Sequence, residues 1–266
     1  MNIIGEKING TRRTVAQAIV DRDAPVIQDL AARQAEAGAS WLDVNAGTNR
    51  TREPDDLLWL VQTVRQVVDV PLCLDSANPE ALRAALPAAG STPMINSISG
   101  EPSRLAEILP IAAEHGCPVI ALAMDDQKIA RTAEQRLDVI RLVMDETREH
   151  GLADAAVYVD PLVMTISTDV QGAMIAFDIM RRVRDEFPAA HIVSGLSNIS
   201  FGLPSRSFVN RYFLALAMQA GLDTAILDPL DRELQAAILA TELLLGRDDY
   251  CLNFIRASRA GVFDRP

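Results

Sequence analysis

The sequence predicts an α/β fold: a single (β/α)8 TIM barrel running from residue 1 to residue 266. Three observations predict it. Short apolar runs alternate with longer amphipathic segments along the whole chain, giving eight strand-then-helix units. The strands are too apolar to keep one face in water, so they belong to a parallel sheet covered by helices. No shift in composition marks a second domain, and 266 residues suit one barrel. A doubly wound sheet, the alternative, usually carries a glycine-rich first turn, and neither GxGxxG nor GxxxxGK[ST] occurs here.

Taken in order, residues 2–4 read as the first strand and lead into Glu6-Lys7-Ile8-Asn9-Gly10. Residues 25–38 are helical in spacing, with Gly38 as the stop. The second strand is 41–45, and its helix, 54–68, opens on Pro54 with Asp55 and Asp56 beside the positive end of the dipole. The third strand is 72–74, and Asn78-Pro79-Glu80 is a capped helix start. Strand 93–96 precedes helix 103–115, and strand 119–123 precedes a polar loop and the long helix 132–150. Strand 156–159 ends on Asp160-Pro161 and is followed by helix 170–187. Strand 192–195 enters the turn-rich loop 196–204 before helix 207–221. The eighth unit is strand 224–227 with helix 231–245, and the tail beyond Gly246 reads as a short extra helix or coil.

Bulk composition narrows the function. A net charge of −11 argues against nucleic acid or an anionic membrane as the main partner, since either would want a basic face. No run approaches the roughly 20 apolar residues of a membrane span, and the first residues lack a basic segment before an apolar one. The expected location is cytoplasmic. Cys73, Cys117 and Cys251 are dispersed, as are His115, His150 and His191, so no zinc-ligand set can be built and no metal site is expected.

In a barrel the chemistry sits at the C-terminal ends of the strands. Those ends supply Glu6 and Asn9, Asp43 and Asn45, Asp75 and Ser76, Asn96 and Ser97, Asp125, Asp160, Ser197 and Asn198, and Asp228. The set is rich in Asp and Asn and poor in His, Cys and Lys, which argues against a serine–histidine nucleophile or a Schiff-base lysine. Two jobs suit it: holding a hard cation through oxygens, or reading the edge of a nitrogen heterocycle. Capping of the following helix is the plain structural alternative for Asp43, Ser76 and Asp228.

Gly5-Glu6-Lys7-Ile8-Asn9, Leu42-Asp43-Val44-Asn45, Leu74-Asp75-Ser76, Ile95-Asn96-Ser97-Ile98-Ser99-Gly100-Glu101, Asp160-Pro161 and Gly195-Leu196-Ser197-Asn198-Ile199-Ser200-Phe201-Gly202-Leu203-Pro204 occur in that order. Together they resemble the pterin-binding methyltransferases, specifically the methyltetrahydrofolate:corrinoid protein methyltransferases and the similar folate module of cobalamin-dependent methionine synthase. The resemblance implies a barrel mouth that binds 5-methyltetrahydrofolate or tetrahydrofolate. It implies that Asp75, Asn96 and Asp160 hydrogen-bond the pterin and that Asn198 sits near N5. Ser197, Glu6 and Asn9 join the substrate-binding set, and Asp43 is a candidate source of the N5 proton. Arg206, Lys128 and Arg50 are candidates for the anionic glutamate tail. The implied reaction moves a methyl group between N5 and the cobalt(I) of a corrinoid, in a direction the residues leave open. No histidine here lies in a DxHxxG setting, so the cobalamin is expected on a separate carrier protein. Family members are commonly homodimers, which is the expectation for this chain.

Three rivals remain at this point. A dihydropteroate synthase would carry an early Asn-x-Thr-x-Asp-Ser-Phe segment, whereas Ile8 is followed by Asn9-Gly10-Thr11-Arg12-Arg13. A non-catalytic folate-binding subunit would bind folate without turning it over. A metal-dependent barrel would use the same carboxylates as ligands.

Overall fold

The computed structural model describes residues 1–126 and 129–264. Eight parallel strands pair each with the next, and β1 closes on β8. Strand β1 (Asn2–Asn9) is followed by α1 (Arg13–Asp21) and α2 (Ala24–Glu36), then β2 (Trp41–Asn45), α3 (Glu53–Arg65), β3 (Leu72–Asp75) and α4 (Pro79–Ala85). Next come β4 (Met94–Ser99), α5 (Pro102–Glu107), α6 (Leu109–His115), β5 (Val119–Leu122) and α7 (Ala133–Glu149). The chain continues through β6 (Val157–Asp160), α8 (Gly172–Glu186), β7 (His191–Gly195), a 3-10 turn (Leu196–Ser200) and α9 (Arg206–Ala220). It ends with β8 (Thr224–Leu227), α10 (Arg232–Leu244), a second short turn and α11 (Leu252–Arg259).

Several elements differ from the sequence reading, among them β4, which runs on past Asn96 to Ser99, and α3, which ends at Arg65. The first strand runs on to Asn9, because Glu6 and Lys7, charged and strand-unfriendly by composition, find partners at the mouth in Arg12 (2.9 Å) and Asp228 (2.6 Å). Helix α1 was not expected; Val15, Ala18 and Ile19 give it one buried stripe, and Arg22 ends it in the left-handed region. The helix expected over 103–115 is two helices that part at Ile108, because Pro110 has no N–H to continue the ladder. The cap read from sequence is present, with Asn78 accepting from Glu80 N; Asp231, read as the first helical residue, instead caps α10 by accepting from Glu233 N and Leu234 N.

Strand parity sorts the barrel interior into layers. Ile4, Cys73, Met94, Ile120, Tyr158 and Val193 form a buried apolar layer inside the ring. Along β2, β3, β4 and β6, the inward positions one pleat further toward the C-terminal ends hold Asp43, Asp75, Asn96 and Asp160. The larger core lies outside the sheet, between strands and helices.

One arginine locks a wall of the mouth. Arg136 on α7 is 1% exposed; its Nε donates to Ala130 O at 2.7 Å, and its Nη1 donates to Pro161 O at 2.9 Å and Leu162 O at 2.7 Å. Burial holds its pKa below the ordinary arginine range, yet it stays charged and fixes the chain just past Asp160. Arg136→Met keeps the stem and strands three carbonyls, so it should cost about 3 kcal/mol or more. Thermal unfolding should then begin roughly 6–12 °C lower; an unchanged transition would show that water replaces the guanidinium at no cost.

Candidate functional site

A cavity of about 230 Å³ opens at the C-terminal ends of the strands, lined by Glu6, Asn9, Thr11, Arg12, Asp43, Asp75, Asn96, Gly195, Ser197, Asn198 and Ile226. The sequence-derived Glu6, Asn9, Asp43, Asp75, Asn96, Ser197 and Asn198 are thus gathered in one wall. Asp160 and Arg206 are not among the described residues that line it.

Two carboxylate–amide pairs form the centre. Asn96 Nδ2 donates to Asp43 Oδ1 at 3.2 Å, and Asn45 Nδ2 donates to Asp75 Oδ2 at 2.8 Å. Burial pushes the Asp43 carboxyl well above the usual carboxylate range, and the nearby Asp75 pushes it further. Asp75 is also raised by burial, with the Asn45 hydrogen bond opposing. Two like charges this close to an apolar layer repel, which favours the neutral form of Asp43. Glu6 is raised by burial and held back by Arg12.

Asp160 is 6% exposed and closes strand β6. Its Oδ1 accepts from Leu162 N at 2.8 Å, and the Gly195 backbone also favours the charged form. Burial raises its pKa to about 6; the Leu162 and Gly195 backbone and Arg136 oppose that rise. Asp160 is therefore ionised at neutral pH, with lone pairs left for two more donors.

Asn198 sits on the 3-10 turn after β7, and glycine at 195 makes room for it. A Cβ there would stand 3.0 Å from Asn198 Nδ2. The turn is braced from below: Arg206 Nη2 donates to Ser197 O at 2.7 Å, Arg206 Nε to Ser200 Oγ at 3.1 Å, and Ser200 Oγ to Asn210 Oδ1 at 2.6 Å. Arg206 thus spends two of its nitrogens holding the loop. Arg50 is an exposed residue of the loop after β2, and Lys128 lies outside the described residues. Asp228 bonds Lys7 and Leu230 N, and Ser76 bonds Glu53 and Asn78 N, so both serve local structure.

Sequence reasoning missed Thr11, Arg12, Gly195 and Ile226 as lining residues, and missed Asn210 behind the turn. Arg12 carried a usable signal, being a cation three residues past a strand end that already held Glu6 and Asn9. No group of three or more His, Cys, Asp or Glu side chains is placed to hold a metal ion among the described residues. None of the described helices is long and apolar enough to cross a membrane.

Residues 5–228 match the family model for pterin binding enzymes. The chain is 38% identical over 263 residues to the methylcorrinoid:tetrahydrofolate methyltransferase of Eubacterium limosum, covering 98% of this chain and 97% of that one. It is 34% identical over 237 residues to methionine synthase of Mycobacterium leprae, covering 84% of this chain but 20% of that longer protein. The fold is shared with dihydropteroate synthases. The Yersinia pestis structure superposes with a TM-score of 0.68 at 18% identity, covering 92% of this chain and 93% of that one. The Xanthomonas albilineans structure gives 0.67 at 18% identity, covering 92% of each chain. The chain belongs to the pterin-binding enzymes, in the family of the methylcorrinoid:tetrahydrofolate methyltransferases.

Proposed function

We propose that this enzyme moves a methyl group between N5 of tetrahydrofolate and the cobalt of a corrinoid that a separate protein presents at the barrel mouth. A relative of that activity, alike over nearly the full length of both chains, supports the reading. The observation that carries it is the single cavity wall in which Asn198 stands with the Asp43–Asn96 and Asn45–Asp75 pairs. We take the direction from the E. limosum relative's name, methylcorrinoid to tetrahydrofolate. In that direction the N5–H amine attacks the methyl carbon, and the carbon–cobalt bond breaks with its electron pair left on the metal. One proton then leaves N5. The reverse reaction needs that proton returned.

The residues divide the work. Asp75, Asn96 and the ionised Asp160 read the pterin edge, and Asp160's free lone pairs suit the two-donor 2-amino and N3–H face. Glu6, Asn9 and Ser197 line the rest of the substrate cavity. Asn198 directs its amide dipole at N5 as charge develops there, which lowers the barrier without moving a proton. Asp43, whose carboxyl burial and the nearby Asp75 push well above the usual carboxylate range, is the group that takes the N5 proton in this direction as the carboxylate and returns it in the reverse. Asp43→Asn should lower transfer by about 10²-fold or more and remove one limb of the pH–rate profile. An unchanged profile would leave solvent as the proton's source. Arg206 braces the loop and presents its remaining donors to the glutamate tail. Residues 1–266 act as one pterin-binding domain, in the cytoplasm and as a homodimer, on the strength of the family resemblance.

The carrier protein has to approach over Asn198, and three residues on stands Phe201, 67% exposed. Its carbonyl is held by Thr165 Oγ1 at 2.6 Å and Ser167 Oγ at 2.9 Å, and Arg206 lies 5.9 Å from the ring centre. A pre-ordered exposed aromatic beside an arginine is the composition of an interface anchor. Phe201→Ser should slow methyl transfer from the protein-borne corrinoid about tenfold or more, while leaving transfer from free methylcobalamin unchanged. The function itself is tested by mixing the purified enzyme with tetrahydrofolate and methylcobalamin and following the cobalamin spectrum. Folate binding without loss of methylcobalamin would reduce the protein to a folate-binding subunit.

A further inference from the structure

We propose that Asn45 is a positioning residue for folate recognition: from behind the cavity it holds the Asp75 carboxylate by a hydrogen bond and keeps it an acceptor for the N–H groups of the pterin. The proposal rests on the pterin-reading role given to Asp75 above.

The geometry begins with the backbone. Asn45 closes β2 and pairs in register with Asn9, and its carbonyl accepts from Gly10 N at 2.8 Å. The chains cross so closely here that a Cβ on Gly10 would overlap Ala46 O. With its backbone clamped against β1, Asn45 reaches across to β3, where Nδ2 donates to Asp75 Oδ2 at 2.8 Å. Asp75 lines the cavity and Asn45 does not, so the amide grips the carboxylate from behind. Asp75 Oδ1 takes no hydrogen bond among the described residues, which leaves it for a ligand.

The other end of the amide is the second observation. Asn45 Oδ1 is buried and has no hydrogen-bond partner among the described residues. A buried acceptor without a donor costs stability, and an apolar side chain of the same size would not carry that cost. The nitrogen is the useful end of this amide, and what it touches is Asp75. Turning the amide over would set Oδ1 against Asp75 Oδ2, two acceptors face to face unless Asp75 carried a proton. The arrangement with Nδ2 inward therefore belongs to the ionised carboxylate, the form that accepts from a pterin.

The charges around Asp75 make such a donor necessary. Burial raises its carboxyl, Asp43 on β2 and Glu53 on α3 repel it, and Arg104 on α5 opposes them. Arg104 is itself paired with Glu101 at 3.4 Å, so the direct donor to the charged form is the Asn45 amide.

The test is a double-mutant cycle on the affinity for tetrahydrofolate, read by calorimetry with full-length protein. Asn45→Leu keeps the bulk and removes the donor, and should weaken binding about tenfold. Asn45→Asp sets another carboxylate against Asp75 and should weaken it at least as much. Asp75→Ala should weaken it by about 10- to 100-fold, and adding Asn45→Leu to Asp75→Ala should change it by less than about twofold. A residue that merely supports the barrel would add its own loss to that of Asp75→Ala. In Asn45→Leu the saturated rate of methyl transfer with free cobalamin should fall less than the affinity does. If Asn45→Leu does not fold, Asn45→Ala runs the same cycle. A second readout needs no ligand: the side-chain amide NMR signal that disappears in Asn45→Asp should shift in Asp75→Ala. Losses that add in the cycle, or an amide signal indifferent to Asp75→Ala, would overturn the role of Asn45. An Asp75→Ala enzyme that binds folate as the wild type does would remove Asp75 from recognition, and Asn45 with it. A wild-type enzyme that binds tetrahydrofolate and obeys the cycle, but transfers no methyl group, would instead sink the reaction assigned above and keep the Asn45–Asp75 device.

Discussion

Asn198→Ala is expected to slow methyl transfer at saturating folate by about 10²–10³-fold, the cost of deleting one pre-positioned dipole at a developing charge. Folate affinity should change little, because the pterin edge is read elsewhere. The reasoning is differential: in the ground state N5 carries no net charge and the amide gains little from it. As charge develops on N5 the same amide gains strongly, so its loss appears in kcat. The turn that carries Asn198 is held by Arg206 and the Ser200–Asn210 pair, so truncating the amide leaves its backbone in place. Single-turnover rates with free cobalamin check this, and a loss confined to KM would refute it.

Asp160→Asn is expected to do the opposite, weakening folate binding by about 10- to 100-fold with a smaller effect on the saturated rate. Asparagine would set an amide donor against the donors of the pterin and of Leu162. The wild-type enzyme should show the pH signature of a carboxylate. Free Asp160 has its pKa raised by burial to about 6, and a bound pterin's two donors favour the ionised form, so the complex has the lower value. Affinity is then full above about 6 and falls as pH drops through it, by about tenfold per unit. In Asp160→Asn that dependence should vanish. Calorimetric titration between pH 4.5 and 8 separates the cases; identical slopes in both proteins would remove Asp160 from recognition.

Much of the barrel can be read without coordinates, and the reasons are local. The strands Trp41–Asn45 and Thr224–Leu227 stand where the sequence places them, because short apolar runs between turn residues leave little choice. The end of β1 could not be read, since Glu6 and Lys7 look like loop residues until Arg12 and Asp228 stand opposite them. Helix α1 carries its apolar stripe on only nine residues, too short for its period to stand out. The polar ring was legible as strand ends, and Glu6, Asn9, Asp43, Asp75, Asn96, Ser197 and Asn198 do meet in one cavity. That Asp160 stands outside the cavity lining, tied to the Leu162 N–H, depends on how the next loop folds back over it. Cys73 read as one of three scattered thiols, because only the ladder register shows that it faces inward beside Asp43.

Gly195 joins two things that enzymes usually keep apart. Its backbone favours the charged form of Asp160, and its missing side chain leaves the space that Asn198 occupies. With the roles proposed above for Asp160 and Asn198, recognition and turnover share one residue of backbone, and a movement of that peptide reaches both. Affinity and turnover cannot drift independently through this part of the chain.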